Sequence, residues 1–203
     1  MNGRWVSTAT AAALLAGCMT VGDVDDGFRR IDRVWQLEYQ QTEDEYRYRV
    51  IDAPYGPALL AVRRTFVDLG MPVQDSSITA GVIVAENNAP TPLSPLEWQE
   101  VAKIENPRLQ QVAGPLFVLG DDPKDYVVTV SATVRPFKGK TLVLLEYALD
   151  NPKLRRKGLA PSKHAPAKAV QIGSLKFWGQ LEKRLREVKV PPPRRRTKLE
   201  MDA

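Results

Sequence analysis

The spacing of apolar and polar positions divides this chain into alternating runs of helical and strand period. Phe28, Ile31, Trp35 and Tyr39 recur at intervals of three and four, one face of a helix. The run "TEDEYRYRVIDAPYG" then alternates, with Tyr46, Tyr48 and Val50 on one face and Arg47 and Arg49 on the other. This predicts a strand ending before Pro54. From Pro57 to Leu69 the period is helical again. Leu59, Val62, Phe66 and Leu69 form the stripe, with Arg63, Arg64 and Asp68 outside it, and Gly70 is placed to close the helix. "MPVQDSS" and "GVIVAEN" predict two strands joined by a turn that ends at Gly81.

A proline-rich insert, residues 87–124, follows. Within it Ser94-Pro95-Leu96-Glu97 is a capping box with proline at the first helical position, so a short helix is expected from Pro95 to about Ile104, ahead of Pro107. "YVVTVSATVRPF" and "TLVLLEYAL" flank Lys138-Gly139-Lys140, a strong hairpin pattern. A basic loop with scattered prolines is expected over Asn151 to Lys168. Beyond it a helix from Val170 to about Val188 would turn Ile172, Leu175, Trp178 and Leu181 inward, with Leu185 one turn further. The order is β-α-β-β-(insert)-β-β-α. Because hairpins dominate, the expected fold class is α+β, a two-layer sandwich. It would have an antiparallel sheet of four to five strands and two long helices packed on one face. Residues 28–188 make this single domain, and 189–203, "KVPPPRRRTKLEMDA", are expected to be disordered.

The N-terminus carries a different signal. Arg4 supplies a positive start, Val6 to Leu15 is an uncharged run, and Ala16 and Gly17 lead into Cys18, the chain's one cysteine. The uncharged run is shorter than the roughly 20 residues that span a bilayer. A single cysteine can form no intramolecular disulfide, and with one histidine it cannot complete a Cys/His zinc site. Leu15-Ala16-Gly17-Cys18 resembles the lipobox of bacterial lipoproteins. The resemblance implies cleavage of residues 1–17 between Gly17 and Cys18, a diacylglyceryl group on the Cys18 thiol and acylation of the new N-terminus. Two or three acyl chains, at about 0.8 kcal/mol per buried CH₂, would hold a folded domain at a membrane. Residues 18–27 then read as a tether. In this family Asp after the cysteine often marks retention in the inner membrane. Met19 in that place implies the periplasmic face of the outer membrane.

Composition adds one further feature. Of the formal net charge of +5, Asn151 to Ala203 holds +11, from 15 Lys and Arg against 4 Asp and Glu, which leaves −6 for the first 150 residues. The basic candidates are Lys153, Arg155, Arg156 and Lys157, together with Arg194, Arg195 and Arg196. An exported protein meets little nucleic acid, so the anions expected as partners are lipid headgroups or lipopolysaccharide.

Chemistry is sparse. His164, the one histidine, lies among lysines in "APSKHAPAK" with no carboxylate nearby in the sequence, so it is expected to be exposed and solvated. "GDDPKD" lacks the ligand spacing of a calcium loop, and neither a Gly-x-Gly-x-x-Gly run nor a Walker lysine motif occurs. Glu86, Glu97 and Glu100 read as a solvated set. No catalytic residue, cofactor or metal is assigned. Trp98, Phe177 and Trp178 are expected in the core. As an alternative they line an apolar groove between helices and sheet that carries a small lipid-like ligand.

"ALLAVRRTFVDLGMPVQDSSITAGVIVAE" and "SLKFWGQLEKRL" resemble segments of one group of bacterial envelope lipoproteins. The group includes the helix-grip domains of accessory lipoproteins in the outer-membrane barrel-assembly machine. The resemblance spans roughly Ile51 to Val188. It implies a non-enzymatic, periplasm-facing interaction or assembly module whose partners include outer-membrane assembly proteins.

Overall fold

The computed structural model describes residues 20–120, 123–159 and 163–189. Its first element is a helix, α1 (Val21–Gln41), where a tether was expected over 18–27. Thr20 caps it: the hydroxyl accepts from the Asp23 amide at 3.2 Å, and the Asp23 carboxylate accepts from the Thr20 amide at 2.8 Å. Gly27 does not break the helix, because its missing side chain is filled by the Phe117 ring.

The segment expected to alternate as a strand up to Pro54 is instead a π-helical turn over Glu43–Arg47, followed by a short β1 (Tyr48–Ile51). The alternation is inverted, since Arg47 is buried and Val50 exposed. Arg47 tolerates burial because its guanidinium sits 3.9 Å from the centre of the Tyr39 ring and donates to the Leu145 and Tyr39 carbonyls. Helix α2 (Tyr55–Asp68) ends in a Schellman motif. The Met71 amide reaches the Phe66 carbonyl at 2.8 Å, the Gly70 amide reaches that of Val67 at 3.0 Å, and Gly70 takes φ 72°. Strands β2 (Val73–Ser77) and β3 (Val82–Asn88) follow as expected.

Helix α3 (Pro95–Ala113) opens on the expected capping box but runs nine residues past Ile104, with Pro107 inside it. Pro107 deprives the Lys103 carbonyl of its donor, yet both residues lie on the exposed face, where water can serve instead. Asn106, beside it, bonds both backbone groups of Leu119. The hairpin β4 (Val127–Phe137) and β5 (Lys140–Asp150) turns through Lys138 and Gly139, both at positive φ, as a two-residue loop requires. The region expected as loop contains a short helix, α4 (Pro152–Arg156), and the chain closes with α5 (Ala167–Lys189). On α5, Leu175 faces outward and Ser174 inward, where its hydroxyl bonds that of Tyr147 at 3.2 Å.

The fold is thus α+β, with one open antiparallel sheet in the order β1-β5-β4-β3-β2. Four of the described helices have 14 or more residues, rather than the expected two. One set of alternating side chains is buried, with Val128, Val130, Ala132 and Val134 on β4 and Val143, Leu145, Tyr147 and Leu149 on β5. They join Phe66 of α2, Trp98 of α3 and Phe177, Trp178 and Leu181 of α5 in one apolar core. The intervening positions, such as Thr129, Ser131, Leu142 and Leu144, remain partly exposed.

Candidate functional site

The basic candidates that fall within the described residues cluster on α4. Asn151 builds this helix, its side-chain carbonyl accepting from the Lys153 and Leu154 amides at 3.1 and 3.2 Å, with Pro152 at the first position. Lys153, Arg155, Arg156 and Lys157 are all exposed. Lys153 pairs with Asp125 and Arg155 with Asp150, whereas Arg156 and Lys157 form no ion pair with any described residue.

Helix α1 points its N-terminus toward this same end of the sheet. The Tyr39 hydroxyl accepts from the Tyr147 amide at 2.7 Å. Two turns earlier, Asp32 accepts from the Lys163 and His164 amides beside Ala148 and Leu149. The direction from Tyr39 to Asp32 is therefore the direction of β5 toward α4. His164 is consequently not the solvated side chain expected: it is partly buried, its Nδ1 lies 2.9 Å from Asp32, and its ring lies beside that of Tyr39. Its carboxylate partner is 132 residues upstream, out of reach of any local motif. Asp32 gathers three nitrogens and so clasps the 163–164 segment to α1. Gly17 and Cys18, with Arg194, Arg195 and Arg196, lie outside the described residues.

Trp98, Phe177 and Trp178 are fully packed core residues. The Trp98 indole donates to the Gly120 carbonyl at 2.8 Å and that of Trp178 to the Tyr46 carbonyl at 2.6 Å. Phe177 meets Trp178 edge-on and packs against Phe66. The cleft beside Trp98, walled by Pro92, Leu93, Leu149 and Val170, has a volume of about 20 Å³. That is space for one water, against the several hundred cubic ångströms of a ligand pocket.

A polar cluster between α1 and α3 went unread in the sequence. Glu105 is 1% exposed. Its Oε2 accepts from the Trp35 indole at 3.0 Å and its Oε1 from Arg108 at 3.3 Å, while Arg108 also pairs with Glu38. Burial pushes the Glu105 carboxyl above its ordinary range, and the nearby Glu38 adds to this, against the opposing effects of the Trp35 N–H and Arg108. A cleft of about 440 Å³ opens beside it, lined by Ile31, Val34, Leu109 and Val112 among others. Both carboxylate oxygens are engaged, so the group fastens two helices rather than presenting a base. Arg108 is three residues from Glu105 on the same helix, but Trp35 is 70 residues away, and nothing local marks that pairing.

The three glutamates read as a solvated set are dispersed. Glu86 accepts from Thr129, Glu97 joins Ser94 to Lys176, and Glu100 lies 4.0 Å from Lys168. Among the described residues there is no group of three or more metal-ligating side chains, and no helix is long and apolar enough to cross a membrane. No protein-family model matches the chain, and a search among curated proteins finds no match to it.

Proposed function

We propose that this protein is a non-enzymatic envelope lipoprotein, anchored by acyl chains on Cys18 at the periplasmic face of the outer membrane, whose α+β domain serves as an interaction or assembly module. The observation that carries this reading is Leu15-Ala16-Gly17-Cys18 at the end of a short uncharged run that follows Arg4. The placement of α4 at the end of the sheet toward which α1 begins supports it, since Arg156 and Lys157 would then face the anionic surface to which the anchor is tied. In this reading the long helices form one layer over one face of the sheet, and the β2–β3 and β4–β5 turns, at the opposite end, point into the periplasm toward a partner. The cleft beside Trp98, about 20 Å³, speaks against a lipid-like ligand at that position, which is why we favour the module over the alternative, a carrier of such a ligand.

Membrane fractionation of cells making the full chain tests the proposal. Wild-type protein should sediment with outer membranes through washes at high salt, and Cys18→Ser should remove it from that fraction. Wild-type protein in the cytosolic fraction would refute the reading.

A further inference from the structure

We propose that the first turns of α1, the loop 114–120 and α4 form a single bilayer-contact face, in which Leu116 and Val118 insert among lipid headgroups. The proposal rests on the anchor reading above and adds to it the surface that meets the lipid. The loop "GPLFVLG" alternates: Phe117 and Leu119 are buried, whereas Leu116 and Val118 are 72% and 46% exposed. It is held rigidly. Phe117 packs onto Gly27 and meets Phe28 edge-on at 5.3 Å, and the Leu119 amide and carbonyl bond Asn106 at 2.6 and 3.2 Å. The two exposed side chains are thus presented outward by a preformed loop, so inserting them requires little further ordering. Val21, 71% exposed, opens α1 six residues before the Gly27 contact with Phe117 and three residues after Cys18.

Helix α4 lies at this same end. The Gly120 carbonyl accepts from Trp98, Trp98 packs beside Tyr126, and the adjacent Asp125 pairs with Lys153. Among the described residues the acids here have partners: Asp25 and Asp26 in Arg29, Asp125 in Lys153, Asp150 in Arg155, and Asp23 in its own helix cap. Arg156 and Lys157 are left to meet lipid phosphates. Exposed apolar side chains alone would suit a protein partner equally well. An acyl attachment three residues before Val21 decides for lipid, because it fixes the bilayer at this surface at high effective concentration.

The test uses full-length protein purified from membranes and reconstituted in vesicles of phosphatidylethanolamine and phosphatidylglycerol. Leu116→Cys, Val118→Cys and, at the opposite end of the sheet, Ile78→Cys each carry an environment-sensitive thiol-reactive fluorophore, with acylated Cys18 blocked. Positions 116 and 118 should show blue-shifted emission and lose quenching by iodide, while position 78 stays fully quenched. The Arg156→Glu/Lys157→Glu pair should restore part of the quenching at 116. Quenching at 116 and 118 equal to that at 78 would overturn the face and leave the anchor intact. Protection that appears only when a second protein is present would also overturn it, in favour of a protein occupant. A label that enters Cys18 of the wild type would overturn the anchor and the face together.

Discussion

The polar cluster between α1 and α3 makes a quantitative prediction. Glu105→Ala strands the Trp35 N–H, which is buried and has that carboxylate as its acceptor. An unmet buried donor costs about 1–3 kcal/mol. Arg108 keeps its pairing with Glu38 and is itself partly exposed, so its loss adds little. Glu105→Gln retains the shape and an oxygen for Trp35 while removing the charge that burial disfavours. It should therefore cost less than Glu105→Ala by about 1–2 kcal/mol. Combining Glu105→Ala with Trp35→Phe should give a coupling energy of about 1–2 kcal/mol, since each single change leaves the other partner unsatisfied. Urea unfolding followed by far-UV circular dichroism measures all four, with an unchanged denaturant slope as the condition for comparing them. The sign of the pH dependence is also fixed. Because the folded carboxyl is raised above its ordinary 4.5, the folded state binds more protons as pH falls toward that value. Wild type should gain stability relative to Glu105→Gln as pH falls from neutral toward 4.5. Equal costs for the alanine and glutamine variants, or a coupling below about 0.5 kcal/mol, would refute the account of this cluster.

Two further outcomes follow from other contacts. A Cβ at Gly27 would stand 2.1 Å from the Phe117 ring. Gly27→Ala should therefore lower Tm, an overpacking penalty of about 1–3 kcal/mol outweighing the roughly 1 kcal/mol that alanine gains in a helix. Phe117→Leu in the same chain should recover part of the loss, and a raised Tm for Gly27→Ala alone would contradict the packing. Arg184 forks onto both Asp68 oxygens, joining α5 to α2, and with Gln180 holds that carboxyl below its ordinary 3.8. The stability it contributes is present above 3.8 and fades as pH falls through the depressed value. Asp68→Asn should therefore flatten the acid limb of a stability–pH curve, and an unchanged limb would show the pair to be inert.

What could be read from the sequence was what local chemistry decides. The β4–β5 hairpin needed only β-branched runs and a Lys-Gly turn, and the end of α2 only a glycine after a helical stripe. The start of α3 needed Ser94 and Glu97, three residues apart. The misses depended on partners distant in sequence. Arg47 turns inward because Tyr39 and the Leu145 carbonyl await it, and His164 is fixed by an aspartate on α1. Residues 20–27 looked like a tether because Gly27 and three aspartates disfavour a helix taken alone. The Thr20–Asp23 cap and the Phe117 ring reverse that balance. Of the candidate site, the basic cluster on α4 was legible as composition. Its position relative to the start of α1 was not, because it depends on how Asp32 and Tyr39 dock against β5 and its neighbours.

The intact mass of the protein extracted from native membranes tests the central claim most directly. The account predicts a polypeptide that begins at Cys18 and carries the added mass of a diacylglyceryl group and an N-terminal acyl chain. A chain that retains Met1 with an unmodified Cys18 would contradict it.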